Sequence, residues 1–165
     1  SESVWTVQTL SGVPVKPQPE LQQGFSISRQ FYTRSGQKVD LSQVRRNNKL
    51  IAVITGEALT QENHQALVVD LLPAGLEIEN AHLAHNQSID EYRWLPKLSK
   101  TLHTEFRDDR FIAALDLNKS QRKFTIAYLV RAVTPGEYRL PAAFLEDMYK
   151  PWYLARGKMG IIKIQ

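Results

Sequence analysis

Phe124-Thr125-Ile126-Ala127-Tyr128-Leu129-Val130-Arg131-Ala132-Val133 decides the fold. Phe124, Ile126, Tyr128 and Val130 recur at every second position, so they share one face of a strand. β-branched and aromatic residues dominate, as a pleated, half-buried surface prefers. Pro135-Gly136 follows with the fixed-φ residue before the permissive one, the order of a tight turn. Toward the N-terminus, Asn118-Lys119-Ser120-Gln121 turns the chain, and Phe111, Ala113, Leu115 and Leu117 form a second one-faced strand. Phe106-Arg107-Asp108-Asp109-Arg110-Phe111 puts a polar turn between two strands. Phe25-Ser26-Ile27-Ser28-Arg29-Gln30-Phe31-Tyr32 alternates in the same way, and Leu76-Glu77-Ile78-Glu79 does so briefly.

Two stretches read as short apolar runs, Leu50-Ile51-Ala52-Val53-Ile54-Thr55 and Ala66-Leu67-Val68-Val69-Asp70-Leu71-Leu72. Both predict central strands covered on two faces. Leu140 to Tyr149 is extended but carries Pro141, which predicts an edge strand. Gly160-Ile161-Ile162-Lys163-Ile164 closes the chain with another strand. Ser88-Ile89-Asp90-Glu91 fits a capping box and predicts a short helix near residues 88–95, stopped by Pro96. Short strands punctuated by turns predict an all-β fold, an antiparallel β-sandwich of immunoglobulin- or fibronectin-like type.

The 165 residues suffice for one domain and a terminal strand or two. Val4-Trp5-Thr6-Val7-Gln8-Thr9-Leu10 is strand-like, and Lys16-Pro17-Gln18-Pro19 is a stiff, extended linker. The boundary is expected near residue 22. Residues 1–21 then read as a β segment and linker from a neighbouring domain, and residues 22–165 as the main one. The start has neither the basic end nor the apolar block of a signal peptide and reads as a cut fragment. No apolar run reaches the ~18 residues of a membrane span. The absence of cysteine excludes a disulfide scaffold, thiolate metal sites and a cysteine nucleophile.

Charge is uneven: residues 1–83 hold 7 Lys/Arg and 8 Asp/Glu, residues 84–165 hold 14 and 9, for the overall +4. A basic C-terminal half suits an acidic partner surface. Without a recognisable module or a basic stripe interleaved with aromatics, nucleic acid is not expected as a partner.

Enzymatic motifs are lacking: there is no Gly-rich phosphate loop, nucleophile elbow or two-histidine zinc helix. No enzyme activity, metal or cofactor is expected. His82 and His85 have helical spacing and, with His64 or His103, make a metal set only on paper, since no carboxylate sits at ligand spacing. Glu146 and Asp147, adjacent on a strand, point to opposite faces and do not form an acid–base pair. Asp108 and Asp109 suit a turn. The distinctive cluster is Met148, Tyr149, Trp152 and Tyr153, interrupted by Lys150-Pro151. Pro151 removes a ladder donor, so this segment is expected to be an exposed loop or an edge. Its large side chains either fold back on the core or meet a partner. Lys150, Arg156 and Lys158 are expected to form a basic rim.

These stretches carry a resemblance. Tyr128-Leu129-Val130-Arg131-Ala132-Val133-Thr134-Pro135-Gly136, then Leu140-Pro141-Ala142 and Glu146-Asp147-Met148-Tyr149-Lys150-Pro151, resemble the C-terminal domain of bacterial α2-macroglobulins. Gly24 to Arg29, Val68 to Asn80 and Phe106 to Arg110 are similar to earlier parts of the same domain, and residues 4–14 to the β segment before it. The resemblance implies a macroglobulin-like, receptor-binding-like β-sandwich module of a large periplasmic protein. That protein would be anchored at the inner membrane through a distant N-terminal segment.

In that family a protease cuts a bait segment, the protein changes shape and traps it, and in many members a buried thioester then couples to the protease. The implied partners are the thioester domain and other macroglobulin domains of the same chain, and target proteases of the full-length protein. The Met-Tyr pair that covers the thioester in such members falls on Met148 and Tyr149, and proximity adds Trp152 and Tyr153 as supporting contacts. A second reading, for a member without thioester, is a docking module for a cell-wall synthase or another envelope protein.

Overall fold

The computed structural model describes residues 18–79 and 92–165. These residues form twelve strands, and no helix occurs among them. The chain order is β1 (Leu21–Gln23), β2 (Phe25–Tyr32), β3 (Lys49–Ala58), β4 (His64–Leu71), β5 (Leu76–Ile78) and β6 (His103–Arg107), then β7 (Arg110–Leu117), β8 (Lys123–Ala132), β9 (Gly136–Leu140), β10 (Ala143–Asp147), β11 (Leu154–Arg156) and β12 (Gly160–Ile164). A six-stranded sheet runs β1-β11-β10-β4-β7-β6, a four-stranded sheet β2-β3-β8-β5, and β12 pairs with β9 in a short third sheet. All the strand ladders are antiparallel.

The two large sheets face each other across a core built by alternation. Phe25, Ile27 and Phe31 of β2, Leu50, Ala52 and Ile54 of β3, and Phe124, Ile126, Tyr128 and Val130 of β8 point inward from the four-stranded sheet. Ala66 and Val68 of β4, Phe111, Ala113, Leu115 and Leu117 of β7, and Ala143 and Leu145 of β10 answer from the other. Residues of period two on each strand thus become one apolar layer. The expected face of β8 is the buried one.

β3 is covered on both faces as expected: Ile51 and Val53, on its outer side, are buried too. The connection from residue 92 supplies a cover. Trp94 packs on Tyr32 of β2 with ring centroids 5.1 Å apart and donates from Nε1 to the Arg34 carbonyl. Ser99 then bonds β8 through its N–H to the Thr125 carbonyl at 2.8 Å. The chain between them crosses the outer side of this sheet. β4 departs from expectation. Its inner residues are buried, but Leu67 and Val69 are half-buried and Leu71 is exposed, so it alternates as a one-sided strand.

Two further expectations are corrected. Residues 140–149 are not an edge: β10 lies between β4 and β11 inside the six-stranded sheet. Pro141 falls between β9 and β10, where the chain changes sheet and no ladder N–H is needed. The capping box Ser88 to Glu91 lies outside the described residues. The end of the expected helix, Tyr92–Leu95, is a turn closed by the Leu95 N–H on the Tyr92 carbonyl at 2.9 Å.

At the N-terminal side, β1 adds to β11 with Leu21 opposite Arg156. Arg156 Nε donates to the Pro19 carbonyl at 3.1 Å, so residues 18–23 lie along this sheet edge.

One polar group interrupts the core. Arg29 points inward from β2 in the row Phe25, Ile27, Phe31 and pairs with Asp70 of β4, which is fully buried. Arg29 Nη2 also donates to the Pro141 carbonyl at 2.5 Å, and Tyr128 donates its hydroxyl to Asp70 Oδ2 at 2.7 Å. Tyr128 stacks on Phe111, centroids 4.4 Å apart. The group therefore ties β2 and β8 of one sheet to β4 of the other.

Candidate functional site

The β10–β11 connection, Met148 to Tyr153, carries a concentrated set of exposed apolar side chains. Met148 is 42% exposed, Tyr149 74% and Trp152 57%, against a buried Leu145 and Ala155 in the flanking strands. Pro151 sits at the turn between them, as expected for a segment with no ladder partner at that position.

The loop is held from below rather than left loose. β10 ends at Asp147, which is buried. Its Oδ1 accepts the N–H of Tyr149 at 2.8 Å and of Lys150 at 2.9 Å, closing a side-chain turn around Met148. Its Oδ2 faces His64 Nδ1 at 2.7 Å. His64, the first residue of β4, is also buried, and its other ring nitrogen bonds the Thr60 hydroxyl. The Met148 N–H continues the ladder to the Gln65 carbonyl at 2.9 Å. The Tyr153 N–H returns to the Lys150 carbonyl at 2.9 Å.

Tyr153 is half-buried and turns back onto the core. Its ring meets His64 edge-on at 5.0 Å and Phe25 at 6.4 Å, and its hydroxyl donates to Glu62 Oε1 at 2.8 Å. It also presses on Gly24, where φ is +77°; a Cβ there would lie 2.4 Å from the ring. Glycine is thus required at the entry to β2 on two counts. Trp152 lies beside Tyr153, centroids 6.0 Å apart, but keeps most of its surface open.

Charge around the loop is partly paired. Lys150 pairs with Glu62. That contact holds the Lys150 ammonium above and, with Tyr153, the Glu62 carboxyl below their ordinary ranges. Arg156 is bonded to Gln18 and to the Pro19 carbonyl. Of the three cations expected to form a basic rim, Lys150 is paired with Glu62, while Arg156, bonded to uncharged groups, keeps its charge.

Asp147 is the titratable anchor. Burial alone would raise its carboxyl, but the Tyr149 N–H, His64 and the Lys150 N–H outweigh that and hold it below the usual range. A carboxylate depressed in the folded state stabilises the loop above the unfolded value, about 4, and loses that contribution as pH falls through the folded one. Amide exchange at Tyr149 and Lys150 is therefore expected to stay slow from neutral pH down to about 5 and to accelerate, relative to the β4 amides, below about 4. Exchange that accelerates between pH 7 and 5 would show another group to be the anchor.

Among the described residues no set of three metal-ligating side chains converges. His82 and His85 lie outside them; His64 is committed to Asp147 and Thr60. Asp109 bonds Arg110 in the β6–β7 turn at 2.6 Å, away from the loop. The arrangement presents apolar surface on a fixed backbone. Met148, Tyr149, Trp152 and Tyr153 all lie on this one connection, and within it Trp152 packs beside Tyr153. Sequence reasoning missed His64, Glu62 and Asp147 as the frame beneath them.

The fold is thus an antiparallel β-sandwich with an aromatic loop at one end. The chain belongs to the bacterial α2-macroglobulin family, matching the description "Bacterial Alpha-2-macroglobulin MG10 domain" over residues 24–151. It is 35% identical to the Escherichia coli K12 alpha-2-macroglobulin over 164 residues, covering 94% of this chain and 10% of that protein. A Salmonella alpha-2-macroglobulin reacted with methylamine superposes with a TM-score of 0.79 at 36% identity, over 93% of this chain and 10% of that one. A native E. coli fragment running from domain MG7 to the C-terminus gives 0.80 at 31%, over 93% of this chain and 25% of that one. The chain thus spans about a tenth of its full-length relatives.

Proposed function

We propose that this domain is the non-enzymatic resting-state clamp of a periplasmic protease-trapping inhibitor, and that its β10–β11 loop covers a thioester on the neighbouring domain. The observation that carries the reading is the exposure of Met148, Tyr149 and Trp152 on a loop whose backbone is fixed by Asp147. Contiguous apolar side chains on a rigid support are what an interface buries. The chain's share of its relatives' length leaves ample neighbouring protein to receive them.

A thioester is an activated acyl group, attacked by any nucleophile that reaches it. A cap protects by excluding water and amines and needs no chemistry of its own. Met adapts to an irregular surface, and Tyr adds a stiff ring with one polar tip. The similar Salmonella protein was crystallised after reaction with methylamine. Such a small amine is the nucleophile that a thioester would take up. Trp152 and Tyr153 serve this cap as flank and footing.

The test is methylamine incorporation into the full-length parent, before and after protease cleavage. The Met148→Ala, Tyr149→Ala double variant is expected to label at least about tenfold faster than the parent in the resting state, equivalent to about 1.4 kcal/mol of lost protection. Equal resting rates would remove the lid role from this loop. No labelling of either form, even after cleavage, would replace the thioester reading by contact with another envelope protein.

A further inference from the structure

We infer that Asp147, backed by buried His64, is the positioning residue of the shielding loop: it sets where Met148 and Tyr149 point, and protection depends on it although it never touches the thioester. This rests on the shielding reading above and names the part of the domain that enforces it.

The geometry points to Asp147 because its Oδ1 accepts both backbone N–H groups that follow Met148, those of Tyr149 and Lys150. The ladder ends at the Met148 N–H, bonded to Gln65. Beyond it, the Tyr149 and Lys150 N–H groups would turn to water were it not for Asp147 Oδ1. Tyr149, 74% exposed, makes little contact with the domain that could orient it, so its direction follows these amides; Met148, 42% exposed, rests partly on the domain and is carried on the same fixed backbone. The aspartate itself is oriented from behind. His64 Nδ1 holds Oδ2, Thr60 holds the opposite ring nitrogen, and Phe25 and Tyr153 press the imidazole edge-on at 4.8 Å and 5.0 Å.

This is a chain of single-valued contacts from the sandwich core to the loop tip. A hydrogen bond to a charged acceptor in a buried site is the strong kind. A lid whose backbone is preset in this way sacrifices little entropy when it closes on a neighbour. The Glu62–Lys150 pair, lying outside at the solvent edge, adds a weaker second hold.

Three variants of the full-length protein separate positioning from folding. Asp147→Ala removes both side-chain bonds to the loop amides. Asp147→Asn keeps an oxygen for the two amides. His64→Phe keeps the ring packing between Phe25 and Tyr153 and removes the donor. Resting-state methylamine labelling is expected to rise at least about tenfold in Asp147→Ala, since loss of even one of its two bonds to the loop amides supplies about that factor. It should rise less in His64→Phe, and less in Asp147→Asn, which keeps both amide bonds in their weaker, neutral form. After protease cleavage, when the lid is withdrawn, all should label at the parent's rate.

If Met148→Ala, Tyr149→Ala accelerates labelling and Asp147→Ala does not, the positioning role is overturned while the shielding reading stands. If Asp147→Asn behaves like Asp147→Ala and both lose amide protection along β4 and β7, the residue acts through the fold and the inference also fails. Should the parent prove to have no thioester, the shielding reading falls and hydrogen exchange decides. Slow Tyr149 and Lys150 amides in the parent and Asp147→Asn, fast in Asp147→Ala with β4 unchanged, support positioning; fast amides in the parent overturn it.

Discussion

Asp70→Ala is expected to cost about 3–5 kcal/mol in a urea titration, the loss that follows when one partner of a buried ion pair is removed. Asp70 is fully buried, and the Arg29 side chain is only 5% exposed. Truncating the carboxylate leaves a guanidinium facing the core between Phe31, over whose ring it sits at 5.3 Å, and the Pro141 carbonyl. Burial pushes the Asp70 carboxyl up, opposed by Arg29 and by the Tyr128 hydroxyl. The same surroundings push the Tyr128 phenol well above its ordinary range, so it remains a donor throughout the working pH. Tyr128→Phe keeps the stack on Phe111 and removes one bond, and is expected to cost less, about 1–3 kcal/mol. A loss below about 1 kcal/mol for Asp70→Ala would mean that Arg29 finds water by another rotamer and that the pair does not hold the sheets together.

Phe25→Ala is the second large effect, about 3–5 kcal/mol. Phe25 is fully buried and lies at the meeting of β2 with the loop frame, edge-on to His64 and near Tyr153. Its removal opens a cavity directly under the two rings that support the β10–β11 connection. Beyond the shift of the urea midpoint, amide exchange of Tyr149 and Lys150 should accelerate more than that of β7, on the far side of β4 from the loop. Uniform acceleration across both would show that Phe25 is ordinary core with no particular bearing on the loop.

The fold was legible where one period governed. The inward faces of β2, β7 and β8 follow directly from alternation, and the loop containing Pro151 follows from the missing ladder donor. The central position of β10 was not legible, because a proline that ends one strand and precedes the next looks, in sequence, like a proline inside an edge. The polar group of the core left a faint mark: Arg29 breaks the row Phe25, Ile27, Phe31, and Asp70 interrupts the run from Ala66 to Leu72. Each alone reads as an imperfection; only the stacking of the two sheets makes them partners.

The loop divides likewise. Its exposed apolar residues are neighbours in sequence and stand out as a cluster. Its frame is not local, since His64 and Asp147 are 83 positions apart. The opposite directions expected for Glu146 and Asp147 hold, with Glu146 half-buried and Asp147 buried. What the buried one does depends on a histidine that, in sequence, merely follows a polar turn.

The pairing of β10 has a mechanical consequence. The loop tip is continuous with β10, and β10 is laddered to β4 from Ala143 opposite Asp70 to Asp147 opposite Ala66, and on its other side to β11. Ladder bonds run perpendicular to the strands. A pull on Tyr149 along β10, as when a neighbouring domain swings away, therefore loads these bonds together in shear instead of opening them one by one. A contact outside the domain that is held by fewer bonds would give way first, and the loop would keep its shape.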